Sequence, residues 1–374
     1  MKVLQAFIAD DNGGLTKYIL QNYTYIQKYG VQFDFLTYEK NELSYENKLI
    51  QRGGKVFHIR SVINFINYIQ DLRHILKENC YDIVHFNMSY ANFVPIILIK
   101  LILPKQTKII LHSHSMGFDE QNRMIKYLKK SIHKIGRQII PFTCDGYLGC
   151  THDAGKWMFT ESTRKELFYK VVHNAINISS FIYNENIRVL TRKKLHLSND
   201  DFVIGHIGRF TYQKNHEFLI KVFHECLQKK SDCKLMLIGD GPNKKNIEIM
   251  SRNLGIEDRV LFLGNRNDIP KLLQAMDVFC LPSRFEGLGM VGVEAQAAGL
   301  TCFASDVVPK ELAVTNKCKF LPLADKKEWV ERILETQGDI RYNTLEQIKE
   351  AGYEINNEIK HIVEYYKRLI SLER

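Results

Sequence analysis

Several features that would assign a chain to a special class are missing from this sequence. None of the eight cysteines belongs to a Cys-x-x-Cys pair, and most stand inside apolar runs. The longest apolar stretch, residues 93–103, is interrupted by Lys100 and followed by Pro104, so it has about half the length that a membrane-spanning helix needs. The chain also starts directly in a predicted strand, so no signal peptide is predicted. We therefore expect a globular protein with buried thiols in a reducing compartment.

Acidic metal motifs and repeats are missing as well. No Asp-x-Asp occurs, so the sequence does not indicate a metal ion that bridges a diphosphate. No low-complexity tract or short repeat is present, which argues against solenoids and linkers. Lysine and arginine total 52 against 42 acidic residues, and the net charge of +10 indicates anionic partners: nucleotide diphosphates, nucleic acid or an anionic membrane surface.

Short apolar runs alternate with helical patterns along the whole chain. The predicted strands cover residues 3–9, 31–36, 55–58, 82–85, 108–111, 202–208, 235–238, 260–263 and 278–281. This alternation is typical of doubly wound parallel sheets. A length of 374 residues exceeds one ordinary core and suits two α/β domains of about 180 residues each. We predict domains at 1–180 and 181–354, followed by a terminal helix within 355–374.

The most informative stretch covers residues 277–299. A buried strand is followed by the loop Glu286-Gly287-Leu288-Gly289 and by a helix that ends at Gly299. At the carboxyl end of a parallel strand, the free N–H groups of a helix start can hold an anion, and glycine lets a ligand approach the backbone. Glu286 and Glu294 could then face a reacting group and a sugar hydroxyl. The alternative is a surface helix with two solvated glutamates, which the small residues around 295–299 disfavour.

Two further loops carry candidate ligand-binding groups. Arg209 and Lys214 follow a strand and precede a helix, which places two cations at a helix start and suits a diphosphate. The alternative is a pair of solvated basic residues. Gly13 and Gly14 also open a helix after a strand, but they lack the full dinucleotide-binding spacing, and a tight turn without a ligand remains the alternative.

Polar residues end two neighbouring strands of the first predicted domain. His85, Asn87 and Ser89 follow one strand, and the run from His112 to Ser115 follows the next, so they are expected to point into a crevice. A structural role is the alternative for any single histidine.

A basic amphipathic helix is predicted at residues 122–138, which contain six lysines or arginines and no acid. Its apolar stripe comprises Met124, Ile125, Leu128, Ile132 and Ile135. We weigh two interpretations: a core helix with a solvated basic face, and a contact with a membrane surface.

The stretch at 277–299 resembles the Glu-x7-Glu signature of retaining glycosyltransferases of family 4, which have two Rossmann-like domains facing a cleft (the GT-B fold). The resemblance includes the Pro-Ser lead-in at Pro282, the Glu-Gly-Leu-Gly loop, the Glu-Ala-x-Ala-x-Gly tail and the Gly-Arg and Lys-Asn pairs at 208–215. It extends over essentially the whole chain and is strongest with bacterial exopolysaccharide or capsule enzymes. It implies that the terminal helix returns to the first domain.

This resemblance also implies roles for individual residues. Catalytic roles would fall to Glu286, His112, Arg209 and Lys214. Donor binding would involve the same Arg209, Lys214 and Glu286 together with Gly13, Gly14, Asn265, Arg266, Asp268, Ile269, Gly287, Leu288, Gly289, Met290 and Glu294. Acceptor binding is assigned to Asn87 and His114, and whether His112 or His114 contacts the donor sugar stays open.

The substrates and location follow from the same resemblance. We expect a retaining hexosyltransferase that needs no cofactor and no metal. Its donor would be a nucleotide sugar, in the first place a UDP-sugar. The acceptor would be a glycan, lipid-linked, and the enzyme would be cytoplasmic and peripheral on the inner face of the cell membrane. Alternatives are an inverting enzyme of the same fold, a nucleotide-sugar epimerase, or a basic nucleic-acid-binding protein. The spread of charge and the lack of zinc or helix-turn-helix spacing count against nucleic acid as a partner.

Overall fold

A computed structural model describes residues 1–10 and 13–371 and divides the chain into two compact units. Unit 1 holds Met1–Ala175 together with the segment from Ile355 onward, and unit 2 is Ile176–Glu354. The predicted domain boundaries lie after residues 180 and 354, and the division by contacts falls after residues 175 and 354.

Unit 1 is built on a sheet of seven strands in the order β3-β2-β1-β4-β5-β6-β7. All neighbouring strands run parallel. The strands are β1 (Lys2–Ile8), β2 (Gln32–Thr37), β3 (Val56–His58), β4 (Ile83–Met88), β5 (Lys108–Ser113), β6 (Gly146–Gly149) and β7 (Tyr169–Val171). The connecting helices are α1 (Gly14–Ile26), α2 (Glu46–Gln51), α3 (Phe65–Glu78), α4 (Phe93–Lys100), α5 (Arg123–Thr143) and α6 (His152–Met158).

Unit 2 repeats this design with six parallel strands in the order β10-β9-β8-β11-β12-β13. Its strands are β8 (Phe202–Ile207), β9 (Cys233–Ile238), β10 (Val260–Phe262), β11 (Val278–Leu281), β12 (Thr301–Ser305) and β13 (Cys318–Leu321). Its helices are α7 (Glu185–Lys194), α8 (His216–Lys229), α9 (Lys244–Asn253), α10 (Ile269–Ala275), α11 (Met290–Ala297), α12 (Lys326–Glu335) and α13 (Leu345–Glu350).

The last helix, α14 (Ile355–Ser371), packs against α1 and so belongs to unit 1. Its Tyr365 hydroxyl accepts a hydrogen bond from the Tyr147 amide at 3.0 Å, and Tyr366 reaches His85 on β4. The predicted return of the terminal helix is therefore confirmed. No helix within residues 1–10 and 13–371 combines the length and the apolarity needed to cross a membrane.

Each sheet reverses its winding beside its first strand. In unit 2 the chain builds β9 and β10 on one side of β8 and then crosses to place β11 on the other side. The connections that follow β8 and β11 therefore lead to opposite sides of the sheet, and this crossover is where such sheets bind ligands. In unit 1 the equivalent crossover lies between β1 and β4.

The predicted fold class is confirmed, with strand ends that shift by a few residues. Two shifts affect candidate residues, because β4 continues to Met88 and β5 to Ser113. Asn87 and His112 thus lie within strands instead of after them, and His85 lies inside its strand instead of at its end. Their side chains share one face of the sheet, whereas Val84, Phe86 and Leu111 point to the apolar core on the other face.

Candidate functional site

Two loops at the crossover of unit 2 are joined by hydrogen bonds. The β8 loop (residues 208–215) and the β11 loop (residues 282–289) follow neighbouring strands. The Arg284 amide donates to the Gln213 carbonyl at 2.8 Å, and the Asn215 side-chain amide donates to the Pro282 carbonyl at 3.0 Å. Gln213 Nε2 in turn donates to the Phe285 carbonyl at 3.0 Å. The two loops therefore form one continuous hydrogen-bonded surface.

Glu286 lies at the centre of this surface and is only 5% exposed. Its Oε1 accepts from Lys214 Nζ at 2.6 Å and from Ser283 Oγ at 2.7 Å. Its Oε2 accepts from Gln213 Nε2 at 3.0 Å. Burying a carboxylate is costly unless it is paired and hydrogen-bonded, and these three donors meet that requirement. The structure thus brings two predicted catalytic residues, Glu286 and Lys214, into one ion pair.

Arg209 differs from Lys214 in its surroundings. Its guanidinium is exposed at the start of the β8 loop, and the described residues supply no ion-pair partner for it. The neighbouring glycines allow the loops after β8 and β9 to pack closely. A Cβ on Gly239, which has a φ of +133°, would lie 2.2 Å from the Gly208 carbonyl oxygen. The backbone next to Arg209 is therefore close-packed, whereas the Arg209 side chain itself is exposed.

The start of α11 supplies the backbone donors that the sequence predicts. Gly289 precedes the helix with a φ of +91°, a conformation that favours glycine. No side chain in the described part of the chain caps this helix start, and its first turn contains no acidic residue. Gly287, Leu288 and Met290 are all buried around it, and Glu294 is buried one turn into the helix. The helix start can therefore attract an anion.

The loop after β10 carries four of the residues predicted to bind the donor. Arg266 and Asp268 form a two-point ion pair, with Nε to Oδ1 at 2.8 Å and Nη2 to Oδ2 at 2.7 Å. The hydrogen bond from Arg266 lowers the pKa of Asp268. Asn265 is exposed, and Ile269 is buried at the start of α10. Since β9 separates β10 from β8, this loop begins roughly 10 Å from the β8 loop along the same edge of the sheet.

The candidate histidines of unit 1 form a buried polar layer. The ring centroids of His112 and His114 are 4.0 Å apart, and those of His85 and His112 are 5.4 Å apart. Burial lowers the pKa of His85 and of His114 to about 3 and that of His112 well below its usual value. These imidazoles are therefore neutral at neutral pH. His112 is fully buried, whereas His114 keeps partial exposure.

Hydrogen bonds tie this layer to its neighbours. The Asn87 side chain donates to Gln5 Oε1 at 2.8 Å and accepts at 3.0 Å from His114 Nε2. The two predicted acceptor-binding residues thus bind each other. His85 Nδ1 lies 2.6 Å from the Tyr366 hydroxyl. Neither ring nitrogen of His112 finds a hydrogen-bond partner within the ranges that the structure describes.

The predicted glycine loop of unit 1 starts at the end of β1, beside β4. Gly13 precedes α1 and Gly14 is its first residue. A Cβ on Gly14 would meet no atom of the described residues within 4 Å. Residues 11 and 12 of the loop lie outside the described residues.

Two polar residues at the site received no role from the sequence. Gln213 and Ser283 both stand inside the motifs discussed above, and both hydrogen-bond to Glu286. Ser283 is itself held by Ser305, whose hydroxyl donates to the Ser283 carbonyl at 2.5 Å. The signal that could have found Ser283 is its position three residues before Glu286. Within the described residues, no group of three His, Cys, Asp or Glu side chains is placed to hold a metal ion.

Family models match both halves of the chain. Residues 12–180 match the model described as Glycosyltransferase Family 4, and residues 188–354 match that described as Glycosyl transferases group 1. This chain belongs to the family 4 glycosyltransferases. Its enzymatic class is thereby established, and the nucleic-acid-binding alternative loses its support.

Relatives and solved structures agree with this assignment. This glycosyltransferase is 28% identical to the putative glycosyltransferase EpsF of Bacillus subtilis, over 100% of this chain and 97% of that protein. It is also 28% identical to an Escherichia coli protein named UDP-Gal:alpha-D-GlcNAc-diphosphoundecaprenol alpha-1,3-galactosyltransferase, over 70% and 69% of the two chains. The Anabaena protein HepE, solved with UDP, superposes with a TM-score of 0.77 at 18% identity, covering 98% of this chain and 100% of that one. That likeness shows the shared GT-B fold.

The buried ion pair generates a stability prediction. Replacing Lys214 by Met leaves the Glu286 carboxylate buried with two neutral donors, so we expect unit 2 to lose about 2–4 kcal/mol of unfolding free energy. Scanning calorimetry should show its transition lowered by roughly 2–4 °C for each kcal/mol.

The double variant Lys214→Met with Glu286→Gln removes the buried charge and should recover at least half of that loss. Lys229→Met, on the exposed side of α8, is the matched control. A loss as small as that of the control would show that the pair behaves like a surface salt bridge.

Proposed function

We propose that this glycosyltransferase moves a sugar from a nucleotide sugar to a lipid-linked glycan, as a step in the synthesis of a cell-surface polysaccharide. UDP is the proposed nucleotide. The anomeric configuration of the sugar is retained, and no metal ion takes part. The names of the EpsF and galactosyltransferase relatives and the UDP-bound neighbour support the choice of acceptor and base.

The observation that carries the proposal is the joined pair of loops at the crossover of unit 2. It combines a sugar-orienting carboxylate, Glu286, with two cations, Arg209 and Lys214, and with the uncapped start of α11. A departing nucleoside diphosphate develops negative charge at its terminal phosphate, and these groups supply the compensating positive field. Removing Arg209 or Lys214 should therefore lower kcat by about 10²–10³.

Retention requires either a covalent glycosyl-enzyme or a front-face reaction in which the leaving phosphate helps to deprotonate the acceptor. The hydrogen bonds and the ion pair of Glu286 suit a residue that orients the sugar through its hydroxyls, and the front-face course is the one we propose. Glu294 would hold the nucleotide ribose, and Asn265, Arg266, Asp268 and Ile269 would surround the base. His112 or His114 of unit 1 would contact the donor sugar, Gly13 and Gly14 would lie near the donor diphosphate, and Asn87 would lie near the acceptor.

Helix α5 supports a contact with a membrane surface. Its buried positions are His133, Gly136, Ile140 and Thr143. The predicted apolar stripe lies elsewhere, because Met124 is 83% exposed and Leu128 is 59% exposed. Most of this stripe therefore does not pack on the core, and α5 packs against α4 through its other face. An exposed apolar stripe among lysines is typical of helices that lie in an anionic membrane interface, and we propose a peripheral, cytoplasmic location on that basis.

The experiment that tests the function is a panel of nucleotide sugars screened for slow donor hydrolysis and transfer. We expect turnover of UDP-sugars above other donors, unchanged by EDTA, and a product with the anomeric configuration of the donor by NMR. An inverted product, or activity lost to EDTA and restored by Mg²⁺ or Mn²⁺, would contradict the proposed mechanism.

The two glutamates should respond differently to substitution. Glu286→Gln keeps the shape of the side chain but loses the charge, so it should lower kcat more than it weakens binding of the nucleoside diphosphate. Glu294→Ala should chiefly raise the donor KM. Steady-state kinetics and calorimetric titration with UDP measure both effects. A covalent adduct trapped on Glu286 would refute its orienting role.

The lysines of α5 should control membrane binding. Each lysine near an anionic surface contributes about 1 kcal/mol before screening, so flotation with anionic liposomes is expected and flotation with neutral ones is not. Replacing Lys126, Lys130 and Lys134 by Gln should abolish it. The matched control replaces three exposed lysines of unit 2, Lys193, Lys194 and Lys229, by Gln. Equal flotation of both triple variants would show that α5 is only a solvated surface.

A further inference from the structure

The hydrogen bonds of Glu286 are distributed unequally over its two oxygens. Oε1 accepts from both Ser283 Oγ and Lys214 Nζ, whereas Oε2 accepts from Gln213 Nε2. A carboxylate oxygen accepts about two hydrogen bonds, so Oε1 is saturated and Oε2 has room for one more. A sugar hydroxyl that approaches Glu286 must therefore be received by Oε2.

Gln213 controls where that oxygen points. Its Nε2 carries two N–H groups, and they are directed to two acceptors, the Phe285 carbonyl and Glu286 Oε2, each at 3.0 Å. Because both partners are acceptors, only the nitrogen of the amide can face them. Its backbone carbonyl meanwhile accepts from the Arg284 amide. The side chain is thus fixed between the β8 loop, to which it belongs, and the β11 loop, which carries Glu286.

We propose that Gln213 is a positioning residue that sets the plane of the Glu286 carboxylate, so that Oε2 receives a hydroxyl of the donor sugar. This proposal rests on the function proposed above. Ser283 and Lys214 hold Oε1 alone, and around that point the carboxylate can still pivot. The bond from Gln213 removes this freedom. Gln213 therefore acts through Glu286 on the sugar, while Arg209 and Lys214 act on the phosphates.

A double-mutant cycle tests this assignment. Gln213→Met keeps an unbranched side chain and removes the donor. It is combined with Glu286→Gln, and slow hydrolysis of the donor gives kcat for all four proteins. Calorimetry gives Kd for UDP and UDP-glucose, or for the pair that the donor panel identifies. Gln228→Met, on the exposed side of α8, is the matched control.

We expect Gln213→Met to lower kcat by about 10–100-fold, with Kd for UDP within about 2-fold of the parent. The ratio of the Kd for UDP to the Kd for the UDP-sugar should fall to the value that the Glu286→Gln protein shows. In the Glu286→Gln background, Gln213→Met should cost no more than about 2-fold, because both changes remove the same oriented oxygen.

Additive losses of kcat would overturn the proposal, and so would a loss of UDP binding at unchanged kcat. Additive losses would mean that Gln213 acts independently of Glu286. Weaker UDP binding would mean that Gln213 shapes the phosphate site instead. Failure of the proposed function gives a different result, since the parent protein would then neither turn over a nucleotide sugar nor bind UDP. That result would refute the positioning role of Gln213 together with the proposed function.

Discussion

The arrangement of unit 2 depends on one carboxylate that is buried beside an ammonium group. Taking Glu286 and Lys214 out of water costs several kcal/mol, and their attraction offsets this only when further hydrogen bonds complete the carboxylate. Those bonds come from Ser283 on the β11 loop and from Gln213 on the β8 loop. The carboxylate is therefore stable only when both loops are in place. The two loops can meet because the strand order sets β8 beside β11.

The histidine layer of unit 1 buries polar groups that carry no charge. Burial lowers the pKa of His85 and of His114 to about 3, so both stay neutral and need only hydrogen bonds. Those bonds come from Tyr366 on α14 and from Asn87 on β4. The terminal helix thus completes a polar layer whose other members lie on the central strands. This explains why a segment that follows unit 2 in the sequence belongs structurally to unit 1.

Local patterns predicted much of this structure, and contacts between distant segments explain the rest. The alternation of apolar runs and helices predicted both sheets, and the resemblance selected Glu286 and Lys214. The ion pair between them was not predicted, because 72 residues separate them and each motif assigns its residue to the ligand. For α5, periodicity showed an apolar stripe but not where it faces. Gly136 fixes which face of α5 packs on the core, because its Cα lies against Ala91. A Cβ at this position would come within 1.9 Å of the Ala91 carbonyl oxygen.

Lys214 is placed so that it can contact two groups at once. An ammonium group has three donors, and the pair with Glu286 uses one, so Lys214 can bridge the carboxylate and a phosphate. Under the proposed function its removal would disturb the sugar-orienting group and the phosphate-binding group together, so a lost rate could not be divided between them. Arg209 is exposed and stands outside this network. Under the proposed function its removal would change the field at the phosphates alone, so its substitution would measure leaving-group stabilisation directly.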